Sequence, residues 1–354
     1  MNRFWSNTVR NISPYIPGEQ PGDRKYIKLN TNENPYPPSP RVLEAIRQET
    51  GGDLRLYPDP DATLLRNALA DMYRLNPDEV FVGNGSDEVL AFCFPAFFNP
   101  GDIISFPEIT YSFYPVYAKL FGVSSRTVPL NEDYTVNPDI FPEDAKGILL
   151  ANPNAPTGIA VSINDIEKLL GKHHEKLIVI DEAYVDFGAE TAVPLIKEHE
   201  NLLVVQTFSK SRSLAGLRIG FALGNKDLIE ALNRIKNSFN SYTLDRIAVK
   251  AAAAALQDRE YFEETRARVI RTREATAERL ISLGFNVLPS KANFLFVSHN
   301  QISGKELFLR LKNDGILVRH FDISGIENFV RISIGTDEEM NTLVDKLEGY
   351  INSL

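Results

Sequence analysis

Several runs of aliphatic and β-branched residues in this chain stop abruptly at residues that are costly to bury, and that pairing limits the folds open to it. Leu177-Ile178-Val179-Ile180 is followed by Asp181, and Leu202 to Thr207 by Phe208-Ser209-Lys210. Gly147 to Ala151 runs into Asn152-Pro153, and Val80-Phe81-Val82 into Gly83-Asn84-Gly85-Ser86. Strands without polar alternation have both faces covered, as in a mostly parallel sheet with helices on each side. Helix-period segments fall between them: Ser39 to Gln48, Ala62 to Tyr73, one from about Asp87, Tyr111 to Leu120, and Ile163 to Leu170 capped by Ser162. Asp102 to Phe106 and Arg218 to Leu223 add two more strands. Ligands of such sheets sit beyond the carboxyl ends of the strands, which directs attention to the residues just after Val82, Ala151, Ile180 and Thr207.

After about Asp227 the pattern changes. Helices at Thr243 to Leu256 and Tyr261 to Leu283 precede strands at Asn293 to Val297, Ile316 to His320 and Phe329 to Ile334, and a helix from Asp337 closes the chain. The 354 residues suit one large domain plus a smaller one. The expected division is an N-terminal arm with part of the small domain over 1–45, a large α/β domain over 46–240, and a small α+β domain over 241–354.

Composition removes several function classes. Lys plus Arg is 38 and Asp plus Glu 47, a net charge of −9, which gives no general pull toward nucleic acid or an anionic membrane. The longest apolar run, Val89 to Phe98, contains Pro95 and is about half the ~20 residues that a spanning helix needs. Met1 to Arg10 is polar and lacks the apolar stretch of a signal peptide. Cys93 is the single cysteine, so no intramolecular disulfide forms, and a cytoplasmic location is expected. No His or Cys spacing resembles a metal site, and His173 and His174, in a charged segment, read as surface residues.

Four strand ends carry the chemistry. Small residues at Gly83-Asn84-Gly85-Ser86-Asp87 let backbone N–H groups and a helix N-terminus face an anion, although Ser86 or Asp87 could equally cap that helix. Ala151 to Gly158 is a Pro/Asn turn. Asp181, ending a buried strand, needs a cation or donor, and Tyr184 three residues on can face the same pocket. Thr207, Ser209 and Arg218 offer hydroxyls and a guanidinium fork for a phosphate. A Lys at position 210, beside other cations at a sheet mouth, is placed to attack a carbonyl. An amine, a carboxylate, a phenol and a phosphate cup form the set that pyridoxal 5'-phosphate requires.

At these residues the chain resembles the fold type I pyridoxal-phosphate aminotransferases, and most closely the histidinol-phosphate aminotransferase family. The resemblance also rests on Ser13 to Gly18, Leu29-Asn30-Thr31-Asn32-Glu33-Asn34-Pro35, Tyr57-Pro58-Asp59-Pro60, Thr110 to Tyr114, Pro153 to Gly158, Leu214 to Arg218 and Val330-Arg331-Ile332-Ser333. It implies that Lys210 holds the cofactor aldehyde and moves the α-proton, that Asp181 keeps the pyridine nitrogen protonated, and that Tyr184 bonds the phenolic oxygen. Tyr111 would stack on the ring. Gly85, Ser86, Asp87 (by its backbone N–H), Thr207, Ser209 and Arg218 would hold the phosphate. Tyr57 would reach the phosphate of a neighbouring subunit, making a homodimer. Arg331 would clamp the substrate carboxylate, with Asn32 among the substrate contacts, and Arg319 and Tyr15 would read the substrate's own phosphate. The implied reaction is transamination between histidinol phosphate and 2-oxoglutarate, giving imidazole-acetol phosphate and glutamate. A threonine-phosphate decarboxylase shares most of these motifs, an aromatic amino-acid aminotransferase is an alternative because the same pocket tolerates planar side chains, and an aminotransferase-like ligand-sensing module is the non-enzyme alternative. The family pattern has Asn directly before Pro-Thr-Gly, to bond the phenolic oxygen; here that residue is Ala155. Asn154 or Asn152 then substitutes from a shifted position, or Tyr184 bears that oxygen alone.

Overall fold

The computed structural model describes residues 3–20, 22 and 24–353. A short helix α1 (Asn7–Asn11) and a strand β1 (Ile27–Lys28) lead to α2 (Pro40–Glu49), whose start is fixed by Pro40 and by the Ser39 side chain accepting from the Val42 amide. There follow α3 (Thr63–Tyr73), β2 (Val80–Gly83), α4 (Gly85–Phe97), β3 (Ile103–Pro107), α5 (Tyr114–Phe121), β4 (Ser124–Val128) and β5 (Gly147–Ala151). Next come α6 (Ile163–Lys172), β6 (Leu177–Asp181), β7 (Leu202–Thr207), β8 (Gly220–Gly224), α7 (Lys226–Phe239), α8 (Arg246–Gln257) and α9 (Arg259–Ser282). The chain closes with β9 (Phe285–Val287), β10 (Phe294–His299), α10 (Gly304–Asn313), β11 (Ile316–Leu317), β12 (Arg319–His320), β13 (Phe329–Ser333) and α11 (Asp337–Ile351).

The large sheet has seven strands in the order β2-β8-β7-β6-β5-β3-β4. Only β8 runs against its neighbours. Alternate residues of one strand enter opposite cores: Ile178 and Ile180 pack with α2, α3, α6 and α8, whereas Val179 packs with α4, α5 and α7. Two covered faces explain the unbroken apolar runs. The small body is a four-stranded antiparallel sheet, β12-β13-β10-β9, packed with α9, α10 and α11. Strand β1 pairs with β11 in a separate two-stranded parallel sheet, and Leu29 packs in the core of the small body.

Two expectations change. Helix α8 packs on α2 and α3, and Ala248, Val249, Ala251, Ala252 and Ala255 belong to the large core. We therefore propose that the division falls near Asp258 rather than at 240. His173 is buried, not on the surface: it lies four residues after Leu169 and seven after Ile166, on the inward face of α6. His174 is exposed, as expected.

One glycine fixes the relation of sheet to site. Gly220 pairs with Gly83 on one side and Thr207 on the other, and a Cβ there would fall on the Ser86 amide nitrogen and the Gly85 carbonyl carbon. The β2–α4 turn thus rests directly on β8. Gly220→Ala is expected to destabilise the protein by about 1–3 kcal/mol through overpacking. Gly171→Ala, in open space on α6, is expected to stabilise it by about 0.5–1 kcal/mol. Urea unfolding of the two variants checks both signs.

Candidate active site

The carboxyl ends of β5, β6 and β7, the start of α4, the N-terminal arm and the end of the small sheet enclose a cavity of about 470 Å³. Gly85 opens α4 with φ +80°, and a side chain there would meet the Arg218 guanidinium at 2.6 Å. Glycine is what lets Arg218 lie across the helix N-terminus. Ser86, Asp87, Thr207, Ser209 and Arg218 all line the cavity. The Thr207 hydroxyl accepts from the Ser209 amide at 3.1 Å and pairs with the Ser209 hydroxyl at 2.9 Å. Hydroxyls, a guanidinium and a helix N-terminus make an anion cup. The Asp87 carboxylate is part of this arrangement, beyond its expected backbone role: it accepts from Arg218 Nη2 at 2.8 Å and from the Tyr111 hydroxyl at 2.7 Å.

Asp181 ends β6 and is buried. Its Oδ2 accepts from the Tyr114 hydroxyl at 3.0 Å and its Oδ1 from the Ala183 amide at 3.2 Å. Among the described residues it has no ion-pair partner, and burial pushes it up to about 6 even though those two donors and Lys210 act to lower it. Tyr114 closes the Thr110 to Tyr114 motif, but its role cannot be read there, because a Tyr on an amphipathic helix looks like any core aromatic. Helix α5 starts at Tyr114 rather than Tyr111, so Tyr111 sits in the preceding turn, its ring edge-on to Tyr114 at 5.6 Å.

Lys210 Nζ lines the same cavity, donates to the Thr31 carbonyl at 3.2 Å and lies 5.7 Å from the Tyr184 ring centre. The arm also grips the lysine loop, where Asn34 Nδ2 donates to the Lys210 and Ser211 carbonyls. The Tyr184 hydroxyl accepts from Asn32 Nδ2 at 2.9 Å. On the small body, Arg319 of β12 stands directly opposite Arg331 of β13, and both reach the cavity. Arg331 Nη2 donates to the Asn30 carbonyl at 3.1 Å, but its buried Nε has no partner among the described residues. Burial lowers its pKa. Arg319 donates to the Ile16 and Pro17 carbonyls at 3.3 and 3.4 Å, and the neighbouring Tyr15 stacks on Phe113 at 4.2 Å, also in the cavity wall.

Neither asparagine expected beside the phenolic oxygen is brought in. Asn154 is buried in its own turn, donating to the Ile109 carbonyl and Thr157 hydroxyl and accepting from Thr110. Asn152 is likewise spent on the Val161 backbone. It is Ala155 that lines the cavity, so neither asparagine replaces the missing amide. Tyr57 lies outside this chain's cavity, 79% exposed and stacked on Tyr242 at 4.6 Å.

The arrangement fits a ligand with a charged ring N–H, a carbonyl and a phosphate. A buried carboxylate held only by neutral donors has room for one cationic N–H, and the amine and anion cup open into the same space. No cluster of potential metal ligands exists among the described residues.

Comparison with known proteins gives the family. The family model for aminotransferase class I and II matches residues 24–347. The histidinol-phosphate aminotransferase of Clostridium acetobutylicum is 53% identical over 99% of this chain and 100% of its own length, and that of Clostridium beijerinckii is 53% identical over 100% and 99%. The crystal structure of the histidinol-phosphate aminotransferase of Sinorhizobium meliloti in complex with pyridoxal-5'-phosphate superposes with a TM-score of 0.91, at 28% identity, covering 100% of this chain and 99% of that one. The expected fold type I architecture is the one observed, and the chain belongs to the class I and II aminotransferases.

Proposed function

We propose that this chain is a pyridoxal-phosphate-dependent aminotransferase that exchanges the amino group of L-histidinol phosphate with 2-oxoglutarate, yielding imidazole-acetol phosphate and L-glutamate in histidine biosynthesis. The observation that carries the choice of substrate is the Arg319–Arg331 pair. Two like charges directly across an antiparallel ladder repel, and neither has an acidic partner among the described residues. An anion between them offsets that repulsion. Histidinol phosphate carries its phosphate on the carbon next to the amine-bearing one, close to where an amino acid carries its carboxylate. One arginine pair therefore serves the phosphate of one substrate and the carboxylate of the other. The full-length similarity to two histidinol-phosphate aminotransferases supports the same choice.

When bound, pyridoxal 5'-phosphate supplies an aldehyde for the amino group and a ring that spreads the electron pair left by loss of the α-proton. The chain's own residues do the rest. Thr207, Ser209, Arg218 and the start of α4 hold the phosphate, and Tyr111 covers the ring. Asp181, with its position set by Tyr114 and the Ala183 amide, holds the proton of the ring nitrogen. Lys210 would hold the aldehyde covalently until the substrate's amine takes its place, and its freed amine would then accept the proton from the substrate's α-carbon and return it. Arg331 and Arg319 fix the anionic end of the substrate, which sets the direction of the C–H bond and, for glutamate, favours proton loss over decarboxylation.

Tyr57 and Tyr242 are exposed and stack on each other, which supports a second copy of the chain covering them, with Tyr57 reaching that copy's phosphate site. No helix among the described residues is long and apolar enough to cross a membrane. With Cys93 buried and unpaired, the cytoplasm is the proposed location.

Lys210→Ala is expected to abolish steady-state transamination and covalent attachment of the coenzyme. Mass measurement after borohydride reduction reads the second: the wild type gains the coenzyme mass and the variant does not. Residual turnover in the variant would contradict the assignment. Arg319→Leu is expected to raise the KM for histidinol phosphate at least about tenfold and that for glutamate less than about threefold, because the phosphate has more charge to satisfy. Arg331→Lys is expected to lower kcat/KM for both donors by roughly 10- to 100-fold, the loss of about 1.5–3 kcal/mol of charge-assisted bonding. Steady-state kinetics with the two donors tests both, and an equal loss on both donors in Arg319→Leu would remove the phosphate reading.

A further inference from the structure

We infer that Asn32 is a positioning residue for the Tyr184 hydroxyl rather than a substrate contact, and that it sets Tyr184 to bond the coenzyme's phenolic oxygen without an amide at position 155 beside it. The inference rests on the coenzyme reading above.

Every polar group of Asn32 is committed. Its backbone N–H donates to Ser333 Oγ at 2.8 Å, and its carbonyl accepts from Asn293 Nδ2 at 2.9 Å. Its side-chain oxygen accepts from the Ser333 hydroxyl at 2.9 Å, and its Nδ2 donates to Tyr184 Oη at 2.9 Å. Because the Ser333 hydroxyl donates to Oδ1, the amide faces Tyr184 with its NH₂ and not its oxygen. The residue is 1% exposed and held at φ +57°, a backbone region in which Asn is tolerated far better than most side chains. With both atoms of its amide engaged by protein groups, Asn32 is better placed to hold the phenol than to read a substrate.

The consequence falls on the tyrosine. With one lone pair of Oη filled by the Asn32 N–H, the hydroxyl proton of Tyr184 is left to be given away. No other partner of that hydroxyl exists among the described residues. Tyr184 and Ala155 both border the cavity and both contact Phe294. Asn152 and Asn154 are bound to backbone and to Thr110 and Thr157, so the amide that sets the phenol comes from the N-terminal arm. Ser333 lies two residues after Arg331 on β13, so the strand that grips the substrate also grips the group that orients Tyr184.

A double-mutant cycle tests this in the coenzyme-loaded protein, read by the pH midpoint of its visible absorbance. Asn32→Gly keeps the left-handed backbone and deletes the amide. Asn32→Asp keeps the shape and replaces the donor with an acceptor for the tyrosine proton. Tyr184→Phe removes the hydroxyl. A donor to the coenzyme's phenolic oxygen stabilises its charged form and lowers the midpoint, so all three variants are expected to raise it, Asn32→Gly by about half a pH unit or more. In the Tyr184→Phe background Asn32→Gly is expected to change nothing further. An unshifted midpoint in both Asn32 variants overturns the inference, as does a shift that persists without the hydroxyl. A raised donor KM at an unchanged midpoint makes Asn32 a substrate contact and also overturns it. If Asn32→Gly does not fold, Asn32→Asp carries the same comparison. A wild-type protein that takes up no coenzyme sinks the functional reading and this inference together, whereas a normal wild type with unshifted Asn32 variants sinks the inference alone.

Discussion

The bond between the Tyr114 hydroxyl and the Asp181 carboxylate, 3.0 Å long and buried at both ends, is the constraint around which this site is organised. A carboxylate at the end of a covered strand loses its water and must find donors. Tyr114 and the Ala183 amide supply two, and both are neutral. They hold the group in place without cancelling its charge, which is why burial still raises it to about 6. Had the partner been an arginine, the acid would be satisfied and of no use to a ring cation. The fold thus stores an unmet demand for one positive N–H, with Lys210 and the Arg218 cup sharing the same cavity.

The opposite demand is stored on the small body. Arg319 and Arg331 face each other across a strand pair, held by carbonyls of the arm instead of by acids. The arm from Asn30 to Asn34 is therefore more than a connector. It accepts from Arg331, bonds Tyr184 through Asn32, receives Lys210 at Thr31, and grips the lysine loop through Asn34. Residues from both bodies meet on a few positions of extended chain, so a shift of one body relative to the other is felt at the phenol and the amine at once.

Much of this is legible in the sequence, and the parts that are not have physical reasons. The unbroken run Leu177 to Ile180 announces a strand covered on both faces, and the polar residues that end such runs mark the site. Strand β4 is hidden because Ser124 to Thr127 are polar and exposed at the sheet edge, where no burial pattern develops. Helix α7 carries a readable stripe in Leu228, Ile229, Leu232 and Ile235, but its charges mask it. The alanine-rich α8 shows that it is a helix and nothing about which body it serves, because Ala packs against either. Asn154 misleads because a motif fixes neighbours in sequence and not the direction of a side chain. Its amide is worth more to the turn that carries Ala155 than to the cavity. Asn32 stands out as part of a motif, but its task depends on Ser333, some three hundred positions away, and no local pattern reveals such a partner.

The charges in the cavity are segregated, and this separates the site from a simple cationic trap in an acidic protein. Asp87 answers Arg218, and Glu33 is bound by Lys28 and Thr31. Among the groups left without an ion pair in the described residues are the acid at 181 on one side and the guanidinium pair at 319 and 331 on the other. A ligand that satisfies both must carry its positive and negative ends apart, as an N-protonated ring joined to an anionic substrate does. In a partly desolvated cleft each end interacts more strongly than it would in water, and the wrong orientation sets an anion against Asp181. The same two unmet demands that cost the fold stability also impose the one orientation in which proton transfer by Lys210 is useful.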